Sequence, residues 1–326
     1  MLASLPDCSV LGPGTMGGQI ALSLAMGGAH VTLWGRRAEA LGPALDRCAE
    51  GFDFLAAHGL AKSEDRAAVL DRITPQPDLA KSVMDAGFVI EAITEDLALK
   101  RALLDEAERA APETAILSST TSAISAGDLQ SGLRRPRNFC IAHYAQPAHL
   151  VELVEVVPGH GTADTAVAAT TALLEATGKT PVTCPDIPGF LWARIQHTVL
   201  REFASLVGRG LVTPDACDTI LKVGYASRLP AMGAFEHADL AGLDLINSNA
   251  SKAVWADLSN VTDPAETPVG ELFGSGHLGM KSGRGFYDWK PRDAEAFRRQ
   301  RDEEIIRRIK LNRNARTKRT PEWESA

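Results

Sequence analysis

Six residues near the start of the chain limit its fold more than any other feature. Gly12-Pro13-Gly14-Thr15-Met16-Gly17 follows directly on Asp7-Cys8-Ser9-Val10-Leu11, an apolar run of strand length. It leads into a stretch whose Met16, Ile20 and Leu24 recur every four residues, the spacing of one helix face. A second strand, His30-Val31-Thr32-Leu33-Trp34, completes a βαβ unit. Strand, G-x-G-x-x-G turn and helix together are the context in which this motif carries meaning. The glycines permit a tight turn and let backbone N–H groups approach a pyrophosphate, whose charge the helix N-terminus stabilises. Gly12, Gly14, Thr15, Met16 and Gly17 are therefore the expected dinucleotide-binding residues. A glycine turn that merely packs helix on strand is the plain alternative.

The tip of the second strand bears on which dinucleotide. A ribose with a free 2′-hydroxyl is usually held there by Asp or Glu. This chain has Gly35 followed by Arg36 and Arg37, and two guanidinium groups suit a 2′-phosphate. The expectation is NADP(H), with NAD(H) as the alternative if Glu39 or the backbone holds the ribose.

At 326 residues the chain is long enough for two domains, and a chain of this size buries about three-quarters of the surface exposed when unfolded. A net charge of −7 argues against general nucleic-acid binding. The charge is uneven: Arg307, Arg308, Lys310, Arg313, Arg316, Lys318 and Arg319 crowd the C-terminal end without an acidic residue among them. Such a tail reads first as a solvated helix end or arm. The 5 cysteines are scattered, with no C-x-x-C or Cys/His cluster to hold a metal and no disulfide pattern. No apolar run reaches transmembrane length and the first strand starts within ten residues, so no membrane contact is expected and a cytoplasmic location is.

Strands and helices alternate up to about residue 185. Leu41 to Asp71 reads as two helices broken at His58-Gly59, Pro75 and Pro77 bracket a turn, and Gly87–Ile93 is a strand. Leu97–Ala110 is an amphipathic helix, Ala115–Ser118 a strand, and Phe139–His143 and Leu150–Val157 two more. Thr165–Thr177 is a helix and Thr180–Cys184 a last strand. The pattern is that of an α/β, doubly wound Rossmann-type sheet over residues 1–185. From 186 to 326 helices dominate, with a long stripe of Leu191, Ile195, Val199 and Phe203 and a Thr213-Pro214-Asp215 helix start. A stripe of this length points to a C-terminal all-helical domain for substrate and dimerisation.

His143 ends one strand and Glu155 lies on the next, at the edge where such sheets bind ligands. A carboxylate against an imidazole fixes its tautomer and makes it a better acid or base. An ordinary satisfied pair is the alternative. Ser118-Ser119-Thr120-Thr121-Ser122 is a hydroxyl-rich turn, either a helix cap or a donor to a substrate oxygen.

Taken in order, these segments resemble the 3-hydroxyacyl-CoA dehydrogenase family over residues 7 to 290. The resemblance rests on Gly12–Gly17, Val89-Ile90-Glu91-Ala92-Ile93, Ser118–Ser122 and His143-Tyr144-Ala145-Gln146-Pro147. It continues through Glu152-Leu153-Val154-Glu155, Pro188-Gly189-Phe190 and Gly279-Met280-Lys281-Ser282-Gly283-Arg284-Gly285-Phe286-Tyr287. It implies a nicotinamide-dependent oxidation of a secondary alcohol by a homodimer built through the helical domain. It further implies His143 as general base, Glu155 as its orienting carboxylate, Ser122 as hydrogen-bond donor to the reacting oxygen, and Glu91 and Lys281 as cofactor contacts.

Departures from the family pattern sharpen the expectation. Gly35 replaces the ribose-binding Asp; Thr120, Gln146 and Asp96 replace asparagines; and Ala193 replaces an Asn that faces substrate. A roomier, more apolar pocket with Gln146, Ala193 and Trp192 in its wall points to a β-hydroxy or β-keto substrate other than a straight-chain acyl-CoA. Phe235 and Trp255 are further wall candidates, with packing in the helical core as the first reading for them and for Trp192. His237–Asp244 and Trp255–Asn260 look more like members acting on small, CoA-free hydroxy compounds. The alternatives are a conventional NAD-dependent 3-hydroxyacyl-CoA dehydrogenase and, from another class, a non-catalytic nucleotide-binding or structural protein.

Overall fold

A computed structural model describes residues 5–318, with side chains through residue 312. Arg319 and the side chains of Arg313, Arg316 and Lys318 in the basic tail lie outside the described residues. The chain forms two compact units, Met1–Arg194 and Ile195–Ala326.

The first unit is built on β1 (Cys8–Leu11), β2 (Val31–Trp34), β3 (Ile73–Gln76), β4 (Phe88–Glu91), β5 (Ile116–Ser119), β6 (Phe139–Tyr144), β7 (Leu153–Pro158) and β8 (Thr180–Thr183). They form one sheet in the order β3-β2-β1-β4-β5-β6-β7-β8. All neighbours run parallel except β6 and β7. The order reverses between β1 and β4, which makes their C-terminal tips the switch point where such sheets take ligands. β1 and β4 are buried at every position, as central parallel strands must be.

Helices α1 (Thr15–Met26), α2 (Leu41–Ala57), α3 (Arg66–Leu70), α4 (Leu79–Val83), α5 (Leu97–Ala110), α6 (Ala126–Gln130) and α7 (Asp164–Ala176) connect the strands, and α8 (Trp192–Gly208) begins where the first unit ends. Short side chains start several of them by accepting orphan backbone N–H groups. Asp78 accepts from Lys81 N at 3.1 Å, Asp96 from Leu99 N at 2.9 Å and Ser125 from Asp128 N at 2.9 Å. One packed core, with Val89, Leu104, Leu117, Phe139, Ile141 and Val157, covers the sheet.

The expected turn between Pro75 and Pro77 is instead the end of β3, with Pro75 opposite Leu33. An edge strand tolerates a proline because one row of its backbone groups needs no partner. The strand read as Leu150–Val157 begins three residues later, at Leu153.

The second unit is helical: α9 (Pro214–Thr219), a π-helical turn (Ile220–Tyr225), α10 (Ala226–Arg228), α11 (Ala234–Ala241), α12 (Leu243–Ile246), α13 (Asn249–Asp257), α14 (Pro268–Gly274) and α15 (Ala294–Lys318). Thr213 caps α9 by accepting from Ala216 N at 3.2 Å, with Pro214 in the first turn. The Gly279–Tyr287 segment folds into a tight turn that leaves no room for a side chain at Gly285, where a Cβ would lie 2.8 Å from Gly279 Cα. Tyr287 donates to Asp218 at 2.9 Å. The apolar stripe is exposed only in part: Leu191 and Ile195 (64%) are exposed, Val199 and Phe203 are half-buried, and Ala204 is the buried residue of α8. Among the described residues no helix is long and apolar enough to cross a membrane.

Candidate functional site

The glycine turn meets its geometric requirements at two points. Gly12 has φ +130, and a Cβ there would lie 2.7 Å from Ala92 O at the neighbouring strand tip. At Gly17 a Cβ would come within 1.8 Å of Gly12 O. Both positions therefore exclude any side chain. Gly14, by contrast, has nothing within 4 Å of a would-be Cβ, and it and Thr15 are exposed at the start of α1. An open, donor-rich helix N-terminus at the switch point fits a dinucleotide pyrophosphate.

At the tip of β2, Gly35 is filled by its neighbours. A Cβ there would lie 2.8 Å from Pro13 Cγ and 3.1 Å from Leu41 Cδ2. Arg36 and Arg37 are exposed, and Arg37 Nε lies 3.8 Å from Glu39 Oε1, also exposed. A third guanidinium, which the sequence pattern did not reveal, comes from α2: Arg47 Nη2 donates to Pro13 O at 2.7 Å.

Glu91 corrects the expectation drawn from resemblance. Its carboxylate is fully buried and taken up by Lys100 Nζ at 2.8 and 2.9 Å, by the Ser119 hydroxyl and by Ile93 N at 3.2 Å. A side chain so enclosed offers no oxygen to a ligand; it holds the β4 tip in place. Glu95 is the more open carboxylate there, with Lys100 Nζ at 3.2 Å and the Thr121 hydroxyl bonded to it. Burial acts to raise its pKa, but the Thr121 hydroxyl and the Lys100 charge outweigh it and hold the group below the ordinary value. Asp96, read as a departure near the cofactor, is the α5 cap.

The His143–Glu155 pair is the most constrained part of the site. β6 and β7 are antiparallel with His143 directly opposite Glu155, which brings His143 Nδ1 to 2.8 Å from Glu155 Oε2. Glu155 is 2% and His143 8% exposed. The second carboxylate oxygen accepts from Leu191 N and Trp192 N, each at 2.8 Å, and from Cys184 Sγ at 3.5 Å. Gly189 (φ +74) and Phe190 (φ +45) are both left-handed, the latter a rare state for a bulky residue. This turn aims the two N–H groups at Glu155 and places the Phe190 ring 5.6 Å from that of His143. Burial pushes the Glu155 pKa up, yet the bonds from His143, Trp192 N and Leu191 N more than reverse this and hold it down. Glu155 is thus an ionised acceptor to which His143 Nδ1 donates, and in the neutral ring this leaves Nε2 as the acceptor.

The remaining candidates are spread out. Ser122 is exposed in the loop after β5; its neighbours Ser119 and Thr121 are bound into the Glu91–Glu95 network, and Thr120 Oγ1 accepts from Tyr144 N at 3.2 Å. Trp192 meets Glu155 through its backbone, a role that a pocket-wall reading missed. Gln146 is exposed, and the Ala193 Cβ would stand 3.3 Å from a Cβ at Gly189. Lys281 is exposed in the second unit.

Residues 7–187 match the NAD binding domain of 3-hydroxyacyl-CoA dehydrogenase, and residues 189–289 match its C-terminal domain. The chain belongs to the 3-hydroxyacyl-CoA dehydrogenase family. Members of that family are NAD-dependent oxidoreductases acting on CH–OH groups. The chain is 32% identical over 285 residues to a fatty acid oxidation complex subunit alpha of Pseudomonas paraeruginosa, covering 86% of this chain and 39% of that subunit. It is 30% identical over 301 residues to a 5-formyl-3-hydroxy-2-methylpyridine 4-carboxylate 5-dehydrogenase of Mesorhizobium japonicum, covering 92% of this chain and 96% of the relative. A crystal structure of an enzyme of that name, described as an NAD+-dependent dismutase, superposes with a TM-score of 0.86 at 28% identity, covering 95% and 99% of the two chains. A (S)-3-hydroxybutyryl-CoA dehydrogenase from Ralstonia eutropha gives 0.73 at 30% identity, covering 88% and 100%.

Proposed function

We propose that the chain interconverts a secondary β-hydroxy group and a ketone with a nicotinamide dinucleotide, using His143 as general acid/base oriented by Glu155. The observation that carries this reading is the buried 2.8 Å His143–Glu155 bond at the ligand-binding edge of the sheet. In oxidation, His143 Nε2 takes the hydroxyl proton while Glu155 stabilises the imidazolium that forms. In reduction the same atom returns the proton. The exposed Ser122 hydroxyl donates to the reacting oxygen. A bound nicotinamide ring supplies the hydride acceptor or donor. The chain's share of binding is the Gly12–Gly17 turn with Thr15 and Met16, joined by Lys281 on grounds of resemblance. Holding the reactants in line is a large part of the acceleration.

Relatives speak for NAD(H), and the NADP(H) preference rests on this chain alone: no carboxylate at Gly35, Pro13 in its place, and Arg36, Arg37 and Arg47 around it. Ala193 in place of an amide, together with a relative named for a small pyridine carboxylate, favours a CoA-free substrate. The likeness to the Ralstonia enzyme favours the conventional acyl-CoA reading instead. Exposed Ile195, Phe235, Trp255 and Phe273 support a homodimer through the helical unit, which light scattering on the purified chain checks. Free, buried cysteines suit the reducing cytoplasm.

Titrating NADPH and NADH separately at fixed salt tests the cofactor reading: tighter NADPH binding supports it and equal or tighter NADH binding defeats it. Binding of neither promotes a non-catalytic role, against which Ser122, His143 and Glu155 together argue. A His143→Ala variant with full turnover would remove the mechanism.

A further inference from the structure

One residue in the loop after His143 is held through both its backbone groups, and one of the holders belongs to the dinucleotide helix. The loop runs from Ala145 to Glu152 and joins β6, the strand of His143, to β7, the strand of Glu155. Ala148 lies at its centre and is fully buried. Its N–H donates to Gln19 Oε1 at 2.9 Å, and its carbonyl accepts from Lys179 Nζ at 2.5 Å. A second Lys179 proton goes to Val151 O at 2.9 Å, while Leu150 N and Val151 N close on Pro147 O at 3.0 and 2.9 Å. Gln19 sits in the second turn of α1, the helix whose open N-terminus fits a pyrophosphate. Lys179 comes from the turn between α7 and β8. Burial demands that both backbone groups of Ala148 be bonded, but not that a partner be a side chain 129 residues away. Within the loop, Gln146 is exposed between buried Ala145 and Pro147, three residues past His143.

We propose that Gln19 is a positioning residue that couples dinucleotide occupancy to the order of the loop carrying Gln146 beside the His143–Glu155 pair. This rests on the dinucleotide reading above. Pyrophosphate bonds to the first N–H groups of α1 fix that end of the helix, and with it the Gln19 oxygen. A ligand stabilises the states to which it binds, and with them the contacts that those states keep. The loop therefore opens less often once the dinucleotide is in place, and the substrate edge is set by the first reactant to bind. Lys179 serves as the comparison, because its bonds hold the loop with or without the nucleotide.

Hydrogen exchange over residues 144–152, read by mass spectrometry on the full chain, tests this without nucleotide and at saturation with NADH or NADPH. In the wild type the dinucleotide should slow exchange of this segment about 10-fold, the size of an ordinary coupling between two sites. Gln19→Met, similar in length but without the acceptor, should still bind the dinucleotide and lose the slowing. Gln19→Glu keeps an acceptor oxygen and should restore it. Lys179→Met should speed exchange in both states and leave the slowing in place. Slowing that survives in Gln19→Met, or a wild type that binds the dinucleotide without any, overturns the proposal and leaves the nucleotide reading standing. Binding of neither dinucleotide ends both. His143→Ala should keep the slowing, so that loss of the reaction and loss of the coupling are told apart.

Discussion

Replacing Glu155 by Gln separates the structural duties of that side chain from its chemical one. The carboxylate accepts from His143 Nδ1, Leu191 N and Trp192 N, each at 2.8 Å. Gln has the same shape but one oxygen and one NH2. Its oxygen will stay on the two backbone N–H groups, because the reverse orientation sets an NH2 against both. The NH2 then faces His143 Nδ1, which must become an acceptor, so the ring proton moves to Nε2 and the base is lost. A wrong tautomer of this kind costs a serine protease about 10⁴ in kcat, and roughly 10²- to 10⁴-fold is expected here. Exchanging charge-assisted for neutral hydrogen bonds should cost about 1–3 kcal/mol of stability. Glu155→Ala differs, since it leaves both buried N–H groups without a partner at about 1–3 kcal/mol each. Nicotinamide absorbance gives kcat, and urea unfolding gives stability. A Gln variant with wild-type kcat and pH profile, or an Ala variant as stable as the Gln one, refutes the reasoning.

Lys100→Met should cost about 3–5 kcal/mol in urea unfolding, because it strands the fully buried Glu91 charge; adding Glu91→Gln should recover much of this. Glu155 has a depressed pKa, so its contribution to stability is present above its ordinary value of 4.5 and fades as pH falls through its lower folded value. Acid titrations should therefore show a shallower stability loss in Glu155→Gln than in the wild type. Burial first, and the Glu155 charge second, push the Cys184 thiol up to about 12, so iodoacetamide should modify it slowly at pH 8, and faster in Glu155→Gln. Gly35→Asp alone should lose about 1–3 kcal/mol without gaining NADH affinity, because its Cβ collides with Pro13; unchanged stability with tighter NADH binding would sink that argument.

How much of this was readable from residues alone depended on whether the deciding contact was local. The βαβ unit was legible because its glycines, apolar runs and helix spacing lie within thirty-five residues and each has one physical meaning. The His143–Glu155 pair was legible as a candidate, but its geometry follows from the antiparallel β6–β7 register, which no periodicity reveals. Three features were hidden for a common reason: each is a contact that only the folded chain makes, with no motif or periodicity to mark it. Leu191 N and Trp192 N reach Glu155 through the left-handed Gly189–Phe190 turn, and backbone donors leave no trace in residue identity. Lys100 and Ser119 enclose Glu91, so a residue read as a ligand contact is instead a buried strut. Arg47 reaches the glycine turn from one helix farther on. Gly35 falls between these cases. Its lack of a carboxylate is plain in the sequence, but the sequence does not say that Pro13 fills the space, which makes the two positions a matched pair. A Cβ at position 35 would lie 2.8 Å from Pro13 Cγ, so a carboxylate at the β2 tip of this chain is opposed by shape as well as missing from the sequence.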